Sequence, residues 1–117
     1  MAELPILPLH TDALLADTSH MSAEQFGAYV RLLLVAWRHG AKLTNDADEL
    51  ARIAGVSRRR WDEIAPVVMR PMTIVGAQIS QKRLTDTWMR VLEIRRHRSQ
   101  NGRKAWSKRR HKQGDTQ

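Results

Sequence analysis

The chain of 117 residues contains no cysteine and no long apolar run. Without cysteine there is no disulfide framework, no cysteine-ligated zinc site and no thiol nucleophile. The longest unbroken apolar run, Leu32 to Trp37, has six residues, whereas a membrane-spanning helix needs about 20. The first residues, MAELP, carry an acid where a secretion signal would carry Lys or Arg. We therefore expect a soluble, cytoplasmic protein that does not engage a membrane.

The residue patterns that build catalytic and metal sites are also missing from the sequence. The five histidines show no metal-ligand spacing, and no glycine-rich loop is present that would hold a phosphate group. Asp46 and Glu49 are explained as helix-capping residues, and no nucleophile lies in a recognisable pattern with a base. We expect no enzymatic activity, no cofactor and no bound metal.

Positive charge is abundant and unevenly distributed. Residues 82–117 contain 12 Lys or Arg against 3 acidic residues, a net charge of +9, whereas residues 1–81 contain 8 against 9, a net charge of −1. A block of one sign repels itself, and the phosphates of a polyanion relieve that repulsion. The asymmetry favours an arm that binds nucleic acid. The alternative is a solvated tail that serves only solubility.

Apolar periodicity and capping residues predict four helices. Ser22 and Gln25 form a capping box for the first helix. Asp46 caps the second helix and Ser57 caps the third. Pro66 leaves two alternatives for the third helix, which either ends beside the proline or kinks and continues. The predicted helices span about 22–39, 47–54, 58–69 and 82–98.

A small hairpin and an extended start complete the predicted fold. Residues 71–81 lose the helical period, and Gly76 can supply the turn between two short strands. Residues 4–9 carry two prolines, which predicts an extended segment packed on the body, followed by a short helical turn. One core is expected to contain Phe26, Leu33, Trp37, Leu50, Ile53, Trp61, Ile64 and Trp88.

The run LARIAGVSRRRWDEI, residues 50–64, has the pattern of a helix-turn-helix. Ala51 is the small residue where two helices cross, Gly55 allows the turn, and apolar residues recur at the offsets that hold the pair together. With the hairpin as a wing, the predicted fold class is mainly α with a small β-hairpin, a winged helix-turn-helix. We predict a winged-helix domain with its extended N-terminal segment over 1–98 and a basic C-terminal tail over 99–117.

The predicted DNA contacts centre on Arg58, Arg59 and Arg60 in the first turn of the third helix. The helix dipole disfavours cations in the first turn of a helix. Residues that break such a local preference tend to lie at functional sites. In a helix-turn-helix this turn contacts DNA. The alternative pairs Arg58 with Asp62 and Arg59 with Glu63 on an ordinary solvated face. The predicted DNA-binding residues are Ser57, Arg58, Arg59, Arg60, Lys82, Arg83, Arg103, Lys104, Trp106, Lys108, Arg109, Arg110 and Lys112.

Within the tail, Trp106 has two interpretations. It can stack on a base between the basic residues that attract phosphates. Alternatively, it docks on a partner protein or on the core of this chain.

Three stretches of the chain together resemble the YdaU-type domain of unknown function, which occurs in bacterial prophages and beside phage replication-initiator-like sequences. The resemblance covers about residues 5–98 and is carried by PLHTDALLADTSHMSAEQFGAYVRLLLVAWRHG, by LARIAGVSRRRWDEI and by QKRL. It implies a winged-helix fold, a phage or prophage origin and a role in DNA replication or its control.

The sequence therefore allows two functions. The first is a phage or prophage DNA-binding protein of replication initiation or its control, which contacts duplex DNA through helix 58–69 and a basic C-terminal arm. The alternative is a protein-interaction module of phage origin that engages host replication or defence machinery. Salt dependence and sequence preference of DNA binding separate the two.

Overall fold

The computed structural model of the chain describes residues 4–114, with side chains as far as Gly102. Within this range the fold is mainly helical and carries a small antiparallel sheet of three strands. The helices are α1 (Thr11–Thr18), α2 (Ala23–Arg38), α3 (Ala47–Ala54), α4 (Arg58–Val68) and α5 (Lys82–Gly114). The strands are β1 (Lys42–Thr44), β2 (Thr73–Val75) and β3 (Gln78–Ser80).

Local capping contacts define where the central helices begin and end. The Ser22 hydroxyl accepts a hydrogen bond from the Gln25 N–H at 3.2 Å, and the Ser22 N–H donates to Gln25 Oε1 at 2.8 Å. The Asp46 carboxylate accepts the N–H groups at the start of α3. Gly55 ends α3 with φ 78°, a left-handed conformation that glycine adopts without a steric penalty. The predicted capping box and the bounds predicted for the second helix are confirmed.

Helix α4 continues past Pro66, which decides between the two alternatives left by the sequence. The helix runs to Val68, and the Met69 N–H donates to the carbonyls of Ala65 and Val67. Ile64 and Val68, on either side of the proline, are both buried. Burial of both flanking residues offsets the hydrogen bond that proline cannot donate.

The sheet contains the predicted hairpin and one strand that was not predicted. β2 and β3 pair through the turn at Gly76, and β1 pairs with the other side of β3, giving the order β1-β3-β2. Leu43 and Ile74 both lie opposite Ile79, so the three side chains share one face of the sheet. Leu43 and Ile79 are buried in the core, whereas Ile74 at the outer edge is 56% exposed.

The core lies between α2, α3, α4, the sheet and the first part of α5. Trp37 and Trp88 pack edge to face with ring centroids 5.1 Å apart. Leu4 is buried, and its carbonyl accepts a hydrogen bond from Trp37 Nε1 at 2.6 Å, so the predicted extended segment does pack on the body. Six of the predicted core residues are buried, namely Leu33, Trp37, Leu50, Trp61, Ile64 and Trp88.

The other two predicted core residues differ from expectation. Phe26 is 36% exposed, so its placement in the core is wrong, and Ile53 is only partly buried. Phe26 lies one turn before Tyr29 and Val30 on the apolar side of α2. That side is covered at Leu33 and Trp37 but not at the beginning of the helix.

Helix α5 has 33 residues, which corresponds to a length of about 50 Å. Leu84 and Trp88 are buried and Val91 and Leu92 partly buried, after which every described side chain from Glu93 onward is exposed. The predicted helix end at 98 is wrong, because α5 continues to Gly114. The added segment is rich in Lys, Arg and Gln, which favour helix, and extending an existing helix needs no new nucleation. The division into a domain over 1–98 and a tail over 99–117 stays a prediction.

Candidate nucleic-acid interface

Helices α3 and α4 are joined by three residues, Gly55 to Ser57, and both pack on α2. The N–H groups of Gly55 and Val56 donate to the Ala51 carbonyl at 3.0 and 3.1 Å, which closes the turn. Trp61 on the inner side of α4 is buried. The opposite side of the first turn of α4, with the three predicted arginines, is exposed to solvent.

Ser57 has a structural role in this turn. Its hydroxyl accepts a hydrogen bond from the Arg60 N–H at 3.1 Å and so caps α4. The cap satisfies a backbone N–H that has no partner inside the helix. Ser57 therefore positions the arginine turn, whether or not it contacts DNA.

Arg58 lies between two carboxylates. Its Nη1 is 2.7 Å from Asp48 Oδ1 on α3, and its Nε is 3.0 Å from Asp62 Oδ1 one turn further along α4. Hydrogen bonds to Asp48 and Asp62 raise the pKa of Arg58 above its ordinary value. The alternative pairing of Arg58 with Asp62 is present, and Asp48 is an additional partner that was not predicted.

Arg60 links α4 to α2. Its Nε donates to both carboxylate oxygens of Glu24, at 2.9 and 3.1 Å, its Nη2 also contacts Glu24, and its Nη1 is 2.5 Å from Glu63 Oε2. The hydrogen bond from Arg60 lowers the pKa of Glu24, and hydrogen bonds to Glu24 and Glu63 raise the pKa of Arg60. Glu63 thus pairs with Arg60 three residues earlier and not with Arg59, so the alternative pairing proposed for Arg59 is wrong.

Arg59 differs from its two neighbours. Its side chain is exposed and makes no ion pair with any of the side chains described between residues 4 and 102. A second arginine of this kind was not predicted at all. Arg31 on α2 extends its guanidinium over Gly55, and it too has no carboxylate partner in the described part of the chain.

The residues after the β2–β3 hairpin attach α5 to the rest of the fold. Arg83 Nη1 is 2.6 Å from Asp17 Oδ2 at the end of α1. The buried Gln81 side chain donates to the Tyr29 hydroxyl at 3.3 Å and accepts from the Leu84 N–H at 2.7 Å. Burial raises the pKa of Tyr29. Of the two basic residues predicted here, Lys82 is exposed and Arg83 is held in an ion pair.

The basic residues of α5 are concentrated along its projecting part. Within Lys82–Gly114 there are 12 Lys or Arg and only two acidic residues, Asp86 and Glu93. The backbone positions of the predicted tail contacts fall within this helix, but their side chains lie outside the described part. These are Arg103, Lys104, Trp106, Lys108, Arg109, Arg110 and Lys112.

Between residues 4 and 114, no helix is both long and apolar enough to cross a bilayer. Among the described side chains, no three His, Asp or Glu residues come together in a group that could hold a metal ion.

Residues 5–88 match the family model described as "Protein of unknown function (DUF1376)". The chain belongs to this family. The DUF1376 match ends at Trp88, the last buried residue before α5 projects from the core. The expectation of a YdaU-type domain of unknown function, drawn from the sequence, is confirmed.

The chain is also similar in sequence to a curated protein. The chain is 39% identical over 66 residues to "Uncharacterized protein YdaU" of Escherichia coli strain K12. The aligned part is 56% of this chain and 22% of the relative, so the chain spans about a fifth of that protein's length. No solved structure matches the chain.

Proposed function

We propose that this DUF1376 protein binds duplex DNA in the cytoplasm, as a phage- or prophage-derived factor in replication initiation or its control. The observation that carries the proposal is the charge of α5, with 12 Lys or Arg against two acidic residues along one helix. A projecting helix of this charge attracts phosphates without regard to sequence, because it releases the counterions of the duplex.

The order of the elements supports a winged helix-turn-helix as the scaffold. Helices α2, α3 and α4 come first, the β2–β3 hairpin follows as the wing, and α5 begins directly after it. In helix-turn-helix proteins the second helix of the pair enters the major groove with its N-terminal residues. Here that helix is α4, and its exposed first turn carries Arg59 with a guanidinium that no described carboxylate neutralises.

The experiment measures binding of full-length protein to duplex DNA by fluorescence anisotropy at several salt concentrations. Arg59→Glu is the informative variant, since Arg58→Glu would put a third carboxylate beside Asp48 and Asp62 and destabilise the fold. Arg70→Glu is the matched control, with the same charge change on an exposed residue beyond the end of α4. We expect salt-dependent binding that Arg59→Glu weakens more than Arg70→Glu. Wild-type protein that binds no duplex at low salt contradicts the proposal.

A second candidate function, a module that engages a host or phage protein, is favoured by the wing. Ile74 and Val75 on β2 are 56% and 68% exposed, and no charged residue lies in the hairpin. Exposed apolar side chains on an edge strand suit contact with another protein better than contact with phosphates. Co-purification from host cells with and without nuclease separates the candidates, because a protein partner remains after nuclease treatment and a nucleic-acid partner does not.

A further inference from the structure

The guanidinium of Arg31 lies against the turn between α3 and α4. If Gly55 had a Cβ atom, that atom would stand 2.6 Å from Arg31 Nη1 and 3.3 Å from Arg31 Cζ. Gly55 thus serves two purposes, since its φ of 78° requires glycine and its missing side chain leaves the space that Arg31 occupies. The Arg31 guanidinium therefore lies beside the turn that leads into α4, although Arg31 belongs to α2.

The charges around this turn fall into two groups. Arg52, Arg58 and Arg60 are each within ion-pair distance of a carboxylate on α2, α3 or α4. Arg31 and Arg59 have no such partner among the side chains described for residues 4–102. An exposed arginine that no carboxylate neutralises keeps its full field and all of its donors for a ligand.

We infer that Arg31 and Arg59 form a phosphate clamp at the Gly55 turn, and that this clamp binds two backbone phosphates of a duplex that lie within a few nucleotides of each other. The inference rests on the proposed DNA binding and assigns the contact to two residues on different helices. Arg58 and Arg60, which the sequence placed beside Arg59 in the interface, hold α4 against α3 and α2 instead.

The separation of the two arginines suits the spacing of phosphates. Gly55 and Arg59 are four residues apart, so their Cα atoms are at most about 14 Å apart even if the chain between them were fully extended. Phosphates along one DNA strand follow one another every 3.4 Å or so along the helix axis. Because the Arg31 guanidinium lies against Gly55 and the Arg59 side chain begins within this span of Gly55, the two side chains can reach phosphates that are a few nucleotides apart.

A purely structural role for Arg31 makes a different prediction. The guanidinium lies near the C-terminal end of α3, where the helix dipole favours a cation. If that were its whole function, replacing Arg31 would lower the Tm and leave the salt dependence of DNA binding unchanged. The two roles are therefore separated by measuring the Tm and the salt dependence on the same variants.

The test uses full-length protein with Arg31→Ala, Arg59→Ala and the double substitution, titrated on a random-sequence duplex at several salt concentrations. Arg38→Ala is the matched control, because Arg38 is exposed on the same helix two turns away and has no described ion-pair partner. We expect the negative slope of log affinity against log salt to become shallower by about 0.9 for each single variant and by about 1.8 for the double variant. Arg38→Ala is expected to keep the wild-type slope.

The outcomes separate this inference from the function on which it rests. If wild-type protein binds duplex DNA and Arg31→Ala keeps its slope, the clamp is overturned and DNA binding stands. If wild-type protein shows no salt-dependent binding, both are overturned. Arg31→Lys is expected to retain the slope, because a lysine can still contact a phosphate as a point charge.

Discussion

The protein carries positive charge in two places, and the two are built differently. In the first turn of α4, Arg58 and Arg60 are bound by Asp48, Asp62, Glu24 and Glu63. In α5, 12 Lys or Arg share one helix with two acidic residues. Within a run of arginines, the side chains that the fold pairs with carboxylates are therefore less available to phosphates than those that it leaves without such a partner.

The ion pairs of α4 and the basic residues of α5 are also expected to affect different properties of the protein. Ion pairs between exposed side chains stabilise a fold by little, with a typical value of about 0–1 kcal/mol, so the network on α4 acts mainly by fixing orientation. The charged side chains on the exposed stretch of α5 after Leu92 bury no apolar surface, but their field extends about 10 Å at moderate salt. We expect substitutions of Arg58 and Arg60 to alter the orientation of α4, and substitutions of the basic residues of α5 to alter association.

The largest effect is expected from truncating a buried side chain beneath the first turn of α4. Trp61 is buried under α4, and Trp61→Ala leaves a cavity that costs about 3–5 kcal/mol in the free energy of unfolding. Chemical denaturation measures this loss, with Arg52→Ala as a surface control that should change stability little. A Trp61→Ala midpoint equal to that of the wild type would mean that α4 does not depend on this packing.

Truncation of α5 is expected to change binding and not folding. Removing residues 103–117 deletes six Lys or Arg, and each phosphate contact contributes about −0.9 to the salt slope, so the slope should flatten by up to about 5 units. Preference among DNA sequences should hardly change. Titrations of both proteins on the same duplexes provide the measurement, and an unchanged slope would favour the solubility-tail interpretation.

A smaller effect is expected at the junction of α3 and α4. Gly55→Ala forces an alanine to φ 78° and displaces the Arg31 guanidinium, and the left-handed conformation alone costs about 1–2 kcal/mol. Gly76→Ala is the matched control, because Gly76 has φ 60° and open space around it. Thermal denaturation should show a larger loss for Gly55→Ala. Equal losses would mean that Arg31 makes no contribution at this turn.

The smallest effect is expected in the pH dependence of stability. The pKa of Glu24 lies below 4.5 because Arg60 donates to its carboxylate. Because the pKa of Glu24 is lower in the folded state than in the unfolded chain, the charged carboxylate stabilises the folded state at pH values above the ordinary pKa of Glu. This stabilisation is lost as the pH falls through the lowered pKa. Urea denaturation below pH 4.5 should therefore show wild-type stability falling towards that of Glu24→Gln. Parallel curves for the two proteins would show that this ion pair does not form.

Features fixed by neighbouring residues were predictable from the sequence, whereas partners brought together by the fold were not. The capping box of Ser22 and the limits of α3 depend on residues a few positions apart, and both are confirmed. The contact of Arg60 with Glu24 joins residues 36 positions apart, and no spacing rule indicates it. For Arg31, which was not predicted, the sequence offered only the glycine at position 55, because a turn glycine leaves space for a neighbouring side chain.

Strand β1 and the burial of Phe26 were misjudged for a related reason. β1 has one apolar residue, Leu43, between two exposed residues, and three residues are too few for a visible alternation. Phe26 continues an apolar stripe that the fold covers only from Tyr29 onward. In both positions the deciding contact comes from a distant part of the chain.

The hydrogen bond between Trp37 Nε1 and the Leu4 carbonyl also makes the indole N–H of Trp37 a reporter of how the chain begins. The bond is buried, so this proton can exchange for deuterium only when the first segment lifts from α2 or when the whole domain unfolds. Comparing its exchange rate with that of core backbone amides gives the free energy of detaching the segment separately from that of global unfolding. The indole N–H resonance of Trp37 would thus report the local detachment of the first segment. Thermal denaturation does not distinguish this detachment from global unfolding.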